Sequence, residues 1–220
     1  MKEKKAEKIG IYGGTFSPVH AGHLHAAETF LEKMALDRLF LIPSAIPPHK
    51  QAVEGASPDD RLAMLSLACR TSEALSSERV TISDFELKRK GKSYTYYTLK
   101  HFCKRGRQIY LLVGTDMFLS FDTWFRAPEL FKMAEIVLMR REDDEAASRQ
   151  IAEKAEEYER LYAAKLHFLD AEPLEVSSTE LREAIRAGKP TGDLLPKEVS
   201  DYIREHHLYD AESRKEASAK

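Results

Sequence analysis

The run Gly10-Ile11-Tyr12-Gly13-Gly14-Thr15-Phe16-Ser17-Pro18-Val19-His20-Ala21-Gly22-His23 decides how this chain is read. An apolar, strand-like opening (Ile9 to Tyr12) meets a glycine pair, and two histidines stand where a helix is expected to begin, near Ala21. Glycines adopt backbone angles closed to other residues and leave room for a ligand against the main chain. A helix start offers unpaired N–H groups and the positive end of its dipole to an anion. His20 and His23 add side-chain donors there, and cationic charge where an anion raises their pKa. Strand, glycine turn and helix start, in that order, suit the binding and transfer of a phosphate-bearing group.

Working outward, Ala21 to Met34 carries Leu24, Ala27, Phe30, Leu31 and Met34 at helical spacing. Leu39 to Ile42 is a short, wholly apolar run stopped by Pro43, the pattern of a strand covered on both faces. A helix is expected from Ser57-Pro58, an N-cap followed by proline at the first helical position, through Arg61, Leu62, Met64, Leu65 and Leu67. Further strands are expected at Val80–Ile82, Ile109–Val113, Glu135–Met139 and Leu166–Leu169. Ser93 to Phe102 reads as loop into helix, Asp143 to Ala164 as a long, charged outer helix, and Ser178–Ala187 and Pro196–His206 as closing helices. Short apolar strands alternating with helices predict an α/β, Rossmann-like open, mostly parallel sheet with helices on both faces, in a single domain. That domain is expected over residues 8–209, with polar, flexible tails at 1–7 and 210–220. Ligands of such sheets bind beyond the carboxyl ends of the strands, where strand order reverses. The glycine loop and Gly114-Thr115-Asp116 would both lie there.

Composition narrows the class. At 220 residues, 43% hydrophobic and 32% charged, the chain is long enough for a full core, and its net charge of −2 gives no field for a nucleic acid or membrane surface. Any phosphate site must therefore be local. Cys69 and Cys103 are too few for a disulfide framework, and both are expected as reduced, buried thiols of a cytoplasmic protein. The start Met1-Lys2-Glu3-Lys4-Lys5 is not a signal peptide, and no window has the apolar length of a membrane span. A homo-oligomer is left open, since no apolar stripe is clearly spare.

Neither the three-glycine dinucleotide pattern nor a Gly-Lys-Ser/Thr phosphate loop is present. The His-x-Gly-His pair is more specific than the glycines, because its spacing must coincide with a strand-to-helix turn; the bland alternative is a pair of capping histidines. A shared metal for His23 and His25 is excluded by helix geometry, which sets them about 200° apart. Pro47-Pro48-His49-Lys50 follows the second strand on the same rim and presents Lys50 to an anion, or simply to solvent. Ser177-Ser178-Thr179-x-x-Arg182 is a second helix start with hydroxyls and an arginine one turn in, which reads equally as an anion nest or a plain cap. Two helix starts on one rim would hold a triphosphate between them. Asp116 suits ribose hydroxyls or a helix cap; Trp124 suits a flat ring or the core; Ser93-Tyr94-Thr95 is a polar cluster with a cap as its plain use.

Together these motifs resemble the nucleotidyltransferase superfamily with the His-x-Gly-His signature, and more closely the bacterial nicotinate-nucleotide adenylyltransferases. The resemblance runs from about Lys8 to Tyr209 and rests on residues 13–23, 47–50, 93–95, 114–116, Trp124 and Ser177-Ser178-Thr179-x-x-Arg182, in that order. It implies transfer of AMP from ATP to nicotinate mononucleotide in NAD biosynthesis, giving nicotinate adenine dinucleotide and pyrophosphate. It implies that Gly13, Gly14, Thr15, Phe16, His20, His23, Ser178, Thr179 and Arg182 hold the triphosphate, and that Gly114 and Asp116 hold the ribose. Thr15, Lys50, Thr95 and Trp124 would bind the mononucleotide, and His20, His23, Lys50 and Arg182 would serve the transfer. Mg²⁺ would be bound by phosphates and water, with no protein-only metal cage. Many members carry aspartate in place of Ser17 and tyrosine in place of Phe125, so this chain lacks a carboxylate beside the loop and a hydroxyl near the pyridine. The alternatives are a relative acting on nicotinamide mononucleotide or another phosphate acceptor, and a nucleotide sensor without turnover.

Overall fold

The computed structural model describes residues 5–45, 55–140, 145–169 and 176–210. Strands β1 (Glu7–Gly14), β2 (Arg38–Pro43), β3 (Val80–Ile82), β4 (Arg107–Val113), β5 (Glu135–Met139) and β6 (Leu166–Leu169) form one sheet in the order β3-β2-β1-β4-β5-β6. Every neighbouring pair is parallel. The strands expected from the apolar runs are all present.

Successive side chains of a strand point to opposite faces. Leu39, Leu41, Tyr110, Leu112 and Val137 therefore enter one core, while Ile9, Ile11, Phe40, Ile42, Leu111 and Leu138 enter the other. Helices α1 (Ala21–Lys33), α2 (Pro58–Arg70), α8 (Ser178–Arg186) and α9 (Lys197–Glu205) cover the first face. Helices α4 (Thr95–Phe102), α5 (Thr115–Leu119), α6 (Ala127–Met133) and α7 (Glu145–Tyr162) cover the second. With both faces buried, the strands have no polar side, which is why they read as continuous apolar runs. A single-turn helix, α3 (Phe85–Lys88), follows β3.

The chain lays down β1, β2 and β3 outward in one direction, then returns to place β4 on the other side of β1. The reversal therefore falls between β1 and β4, and the loops after Gly14 and Val113 open on the same crevice. After edge strand β6 the chain comes back to the first face, where Tyr202 of α9 donates to Asp60 of α2 at 3.0 Å. That return brings the start of α8 to the crevice.

Ser57 caps α2 as expected: it accepts from the Asp60 amide, and the Asp60 carboxylate accepts from the Ser57 amide at 2.9 Å. Three expectations are corrected. Cys69 is buried, and burial pushes its thiol up to about 12, but Cys103 lies just past the last turn of α4 and is exposed. Helices α3, α5 and α6 went unread, since four to seven residues are too few to show a helical period. Helix α7 is not only an outer layer, for Ile151 and Tyr158 insert into the second core. No helix among the described residues is long and apolar enough to cross a membrane.

Gly10 sits in the middle of β1 where α1 and its following turn come closest. A Cβ there would overlap the Leu36 side chain and lie 2.9 Å from Cε1 of Phe30, both fully buried. Gly10→Ala should therefore lower stability by about 1–3 kcal/mol, the usual cost of overpacking a filled core. Chemical denaturation measures this; an unchanged midpoint would show that α1 can retreat from β1 at no cost.

Candidate active site

The loop from Thr15 to His20 is fixed by groups distant in sequence. Ser17, 3% exposed, shares a hydrogen bond with the Tyr209 hydroxyl at 3.0 Å, and its carbonyl accepts from Arg182 Nη1 at 2.8 Å. Ser178 Oγ donates to the Pro18 carbonyl at 3.3 Å, and Arg182 Nη2 donates to Thr179 Oγ1 at 3.1 Å. The second helix start is thus bonded directly to the first loop, as the two-helix reading requires. The Ser17–Pro18 peptide is cis.

The glycine pair acts differently from expectation. Gly13 and Gly14 belong to β1, paired with Ile42 and Pro43, and neither has positive φ. Gly14 is required by its neighbour: a Cβ would lie 2.9 Å from the ring of Phe16, which is buried and held at φ 50. A Cβ on Gly13 would meet only the Ile42 carbonyl, at 3.9 Å, so the space beside this residue is open. Open space beside the main chain, rather than freedom of φ, is what Gly13 supplies.

His20 is the N-cap of α1 and is 2% exposed, whereas His23 is half-buried. The His20 amide donates to His23 Nδ1 at 3.3 Å, and the ring centroids lie 3.7 Å apart at an angle of 35°. An accepting Nδ1 puts the proton of the neutral His23 ring on Nε2, which makes that atom the donor. The two tilted rings therefore pack as one unit, and His23 forms its outer member.

On the other side of the crevice, Gly114 caps α5 in extended conformation and Asp116 is exposed in its first turn. Thr115, between them, is buried, with Oγ1 unpartnered among the described residues. Thr95 is the first residue of α4, behind Tyr94 as N-cap. Ser93 does not cap that helix. Its Oγ accepts the Ala45 amide at 2.9 Å and bonds Glu86, whose carboxyl also accepts from Thr98 at 2.5 Å. Burial raises the Glu86 pKa.

Trp124 is half-buried against Phe121, with ring centroids 4.7 Å apart. Phe125 is exposed and lies 4.8 Å from the Tyr94 ring, while Arg126 donates to the Tyr96 hydroxyl at 2.8 Å. The Trp124 segment and the start of α4 are thereby joined. Below them Lys154 of α7 pairs with Asp122 at 2.9 Å, and Tyr158 donates to the Phe118 carbonyl at 2.8 Å. Pro47, Pro48, His49 and Lys50, together with Arg141, lie outside the described residues. The sequence leaves Arg61 open between rim and surface, and it does not mark Tyr158, Lys154 or Tyr209 as supports of this region. Arg61 had one legible sign, a charge at the head of the otherwise apolar stripe Arg61, Met64, Leu65, Ala68.

Residues 11–184 match the model of a family described as cytidylyltransferase-like. A Clostridium acetobutylicum protein named "Probable nicotinate-nucleotide adenylyltransferase" is 33% identical over 205 residues, covering 92% of this chain and 99% of that one. A protein of the same name from Synechococcus sp. (strain JA-3-3Ab) is 38% identical over 213 residues, with 94% and 97% covered. The structure of Plasmodium falciparum nicotinic acid mononucleotide adenylyltransferase complexed with NaAD shares the fold at a TM-score of 0.74 and 18% identity, over 92% of this chain and 97% of that one.

Trp124 is the only tryptophan, so its emission reports on this corner of the site. Burial raises the Asp122 carboxyl, but the hydrogen bonds from Lys154 and Tyr158 and the Lys154 charge outweigh it and hold the pKa below the ordinary 3.8. With the folded pKa depressed, the Asp122 contribution is complete above the unfolded value and is lost as pH falls through the folded one. Trp124 emission should therefore hold on acidification until below pH 3.8 and then change. Asp122→Asn should alter emission at neutral pH and remove that acid step; matching profiles in the two proteins would separate Asp122 from the Trp124 segment.

Proposed function

We propose that this chain, which belongs to the cytidylyltransferase-like family and within it to the nicotinate-nucleotide adenylyltransferases, transfers AMP from ATP to nicotinate mononucleotide, giving nicotinate adenine dinucleotide and pyrophosphate, a step of NAD biosynthesis. One observation carries the reading in the geometry. The N-terminal turns of α1 and α8 are tied across a single loop, by Arg182 to Ser17 and Ser178 to Pro18, beside the point where strand order reverses. Two helix starts with an arginine between them suit a polyphosphate.

In this reading the triphosphate rests on Gly13, Gly14, Thr15, Phe16, His20, His23, Ser178, Thr179 and Arg182. Gly114 and Asp116 take the ribose. Trp124 stacks on the pyridine, while Thr95 and neighbouring N–H groups favour the nicotinate carboxylate. Thr15 and Lys50 serve the mononucleotide phosphate. That phosphate is already an anionic nucleophile, so no strong general base is needed. Its oxygen forms a bond to the α-phosphorus in line as the bond to the bridging oxygen breaks, and the electron pair leaves with pyrophosphate. Catalysis is then positioning plus stabilisation of charge on the non-bridging and leaving oxygens. His23 Nε2–H and Arg182 are the donors assigned to that charge, with His20 holding His23 in its tautomer.

Divalent metal accompanies nucleotides in this family, and we assign Mg²⁺. The residues at the loop offer imidazole, hydroxyl, amide and guanidinium groups, and Asp116 is the one carboxylate among those assigned. Such a donor set suits phosphate oxygens, so the ion would be held by phosphates and water and would supply charge neutralisation. We further assign residues 8–209 to one nucleotidyltransferase domain acting in the cytoplasm, with self-association to be tested by sedimentation.

Pyrophosphate release from Mg·ATP, assayed in parallel with nicotinate mononucleotide, nicotinamide mononucleotide and phosphopantetheine, tests the substrate. Preference for the first is expected; release only with another acceptor would keep the phosphate site and overturn the substrate. ATP binding without release from any acceptor would return the protein to a sensor. His23→Ala should lower kcat on the order of a hundredfold or more, the scale of losing a preorganised donor. A folded variant with near-normal kcat would remove His23 from that role.

A further inference from the structure

Arg61 stands in the first turn of α2 with its side chain wholly buried, at 0% exposure. Nη1 donates to the Thr15 carbonyl at 2.8 Å and to the Ser44 carbonyl at 2.7 Å. These residues directly follow β1 and β2, neighbouring strands of which β1 borders the crevice. Nε and Nη2 are also buried and find no partner among the described residues, where no carboxylate forms an ion pair with the guanidinium either. Burial pulls its pKa down, yet an arginine begins so high that the group stays charged. A buried, half-satisfied cation is costly to a fold, and joining two carbonyls requires no charge.

The geometry gives that cost a use. In a trans peptide the carbonyl and the following N–H point in opposite directions. Drawing the Ser44 carbonyl inward sends the Ala45 amide the other way, where it meets Ser93 Oγ at 2.9 Å, two residues before Thr95. Drawing the Thr15 carbonyl inward likewise turns the Phe16 amide away from Arg61, on the loop assigned to the triphosphate. One side chain thus sets the peptide planes after two neighbouring strands on one side of the crevice. It also places a positive charge beneath a loop that carries no carboxylate of its own, in a protein of net charge −2.

Resting on the function proposed above, we infer that Arg61 is a positioning residue of the adenylyl transfer: it orients the Thr15–Phe16 and Ser44–Ala45 peptides and supplies buried positive charge to the bound polyphosphate. It touches neither substrate nor reacting atoms.

Arg61→Lys keeps the charge but replaces the planar guanidinium, whose N–H directions are fixed, with a freely rotating ammonium on a shorter stem, and Arg61→Gln loses the charge. Each is checked for cooperative melting, then assayed for kcat and the KM for ATP, and titrated calorimetrically with inorganic tripolyphosphate. Both variants should fold and lose kcat, on the order of a hundredfold. Tripolyphosphate affinity should fall about tenfold or more in Arg61→Gln and less in Arg61→Lys. Wild-type kcat in a folded Arg61→Lys protein, or equal tripolyphosphate affinity in wild type and Arg61→Gln, would overturn the inference. Failure of both variants to fold would assign Arg61 to the fold alone and overturn it too. The tripolyphosphate arm needs no acceptor. A wild type silent towards nicotinate mononucleotide, yet losing tripolyphosphate affinity in Arg61→Gln, would mark the substrate as the error and leave Arg61 its place.

Discussion

The rim of this protein depends on carbonyl oxygens being drawn inward along one short loop. Arg61 takes the carbonyl of Thr15, Arg182 that of Ser17, and Ser178 that of Pro18, while Tyr209 holds the Ser17 hydroxyl. Where the peptide is trans and carries an N–H, as at Thr15–Phe16 and Pro18–Val19, that N–H is directed away from the group that holds the carbonyl, while Pro18 has no N–H to direct. The anion site proposed for this loop draws on where the carbonyls go as much as on the histidines. In that proposal the positive charge for a triphosphate comes locally, from helix starts and two arginines, in a chain whose net charge is −2.

The sheet was legible because its strands are buried on both faces, so runs such as Leu39–Ile42 and Ile109–Val113 contain no polar break. Strand order was not legible, since nothing in a run of valine, isoleucine and leucine records which neighbour it will take. The helices with their own start signals were readable, as at Ser57-Pro58 and Ser177-Ser178. The short ones around Trp124 were not, because they exist by packing on Phe118, Phe121 and Tyr158 rather than by periodicity.

Within the site the same division holds. Residues whose chemistry is local, His20 and His23 at one helix start and Ser178, Thr179 and Arg182 at another, could be singled out by spacing. Those whose partners lie far along the chain could not: Arg61 reaches back 46 positions to Thr15, and Tyr209 reaches back 192 to Ser17. Ser93 shows how a local reading misleads. It sits where a helix cap belongs, yet its hydroxyl serves Ala45 and Glu86, so the helix starts with no side-chain cap. The glycine pair misleads in the opposite sense, for Gly14 answers to the Phe16 ring and not to a turn of its own.

The clasp on Ser17 bears on the order in which the molecule comes into being. The loop it secures is synthesised well before its anchors, for Ser178, Arg182 and Tyr209 lie 160, 165 and 192 positions beyond their partners in the loop. A growing chain can assemble β1, α1, β2 and α2 while the loop still lacks three of the four anchors. In the function proposed, competence to hold a nucleotide would therefore wait for Tyr209, and a product terminated before Ser178 would carry the whole His-x-Gly-His motif without these anchors.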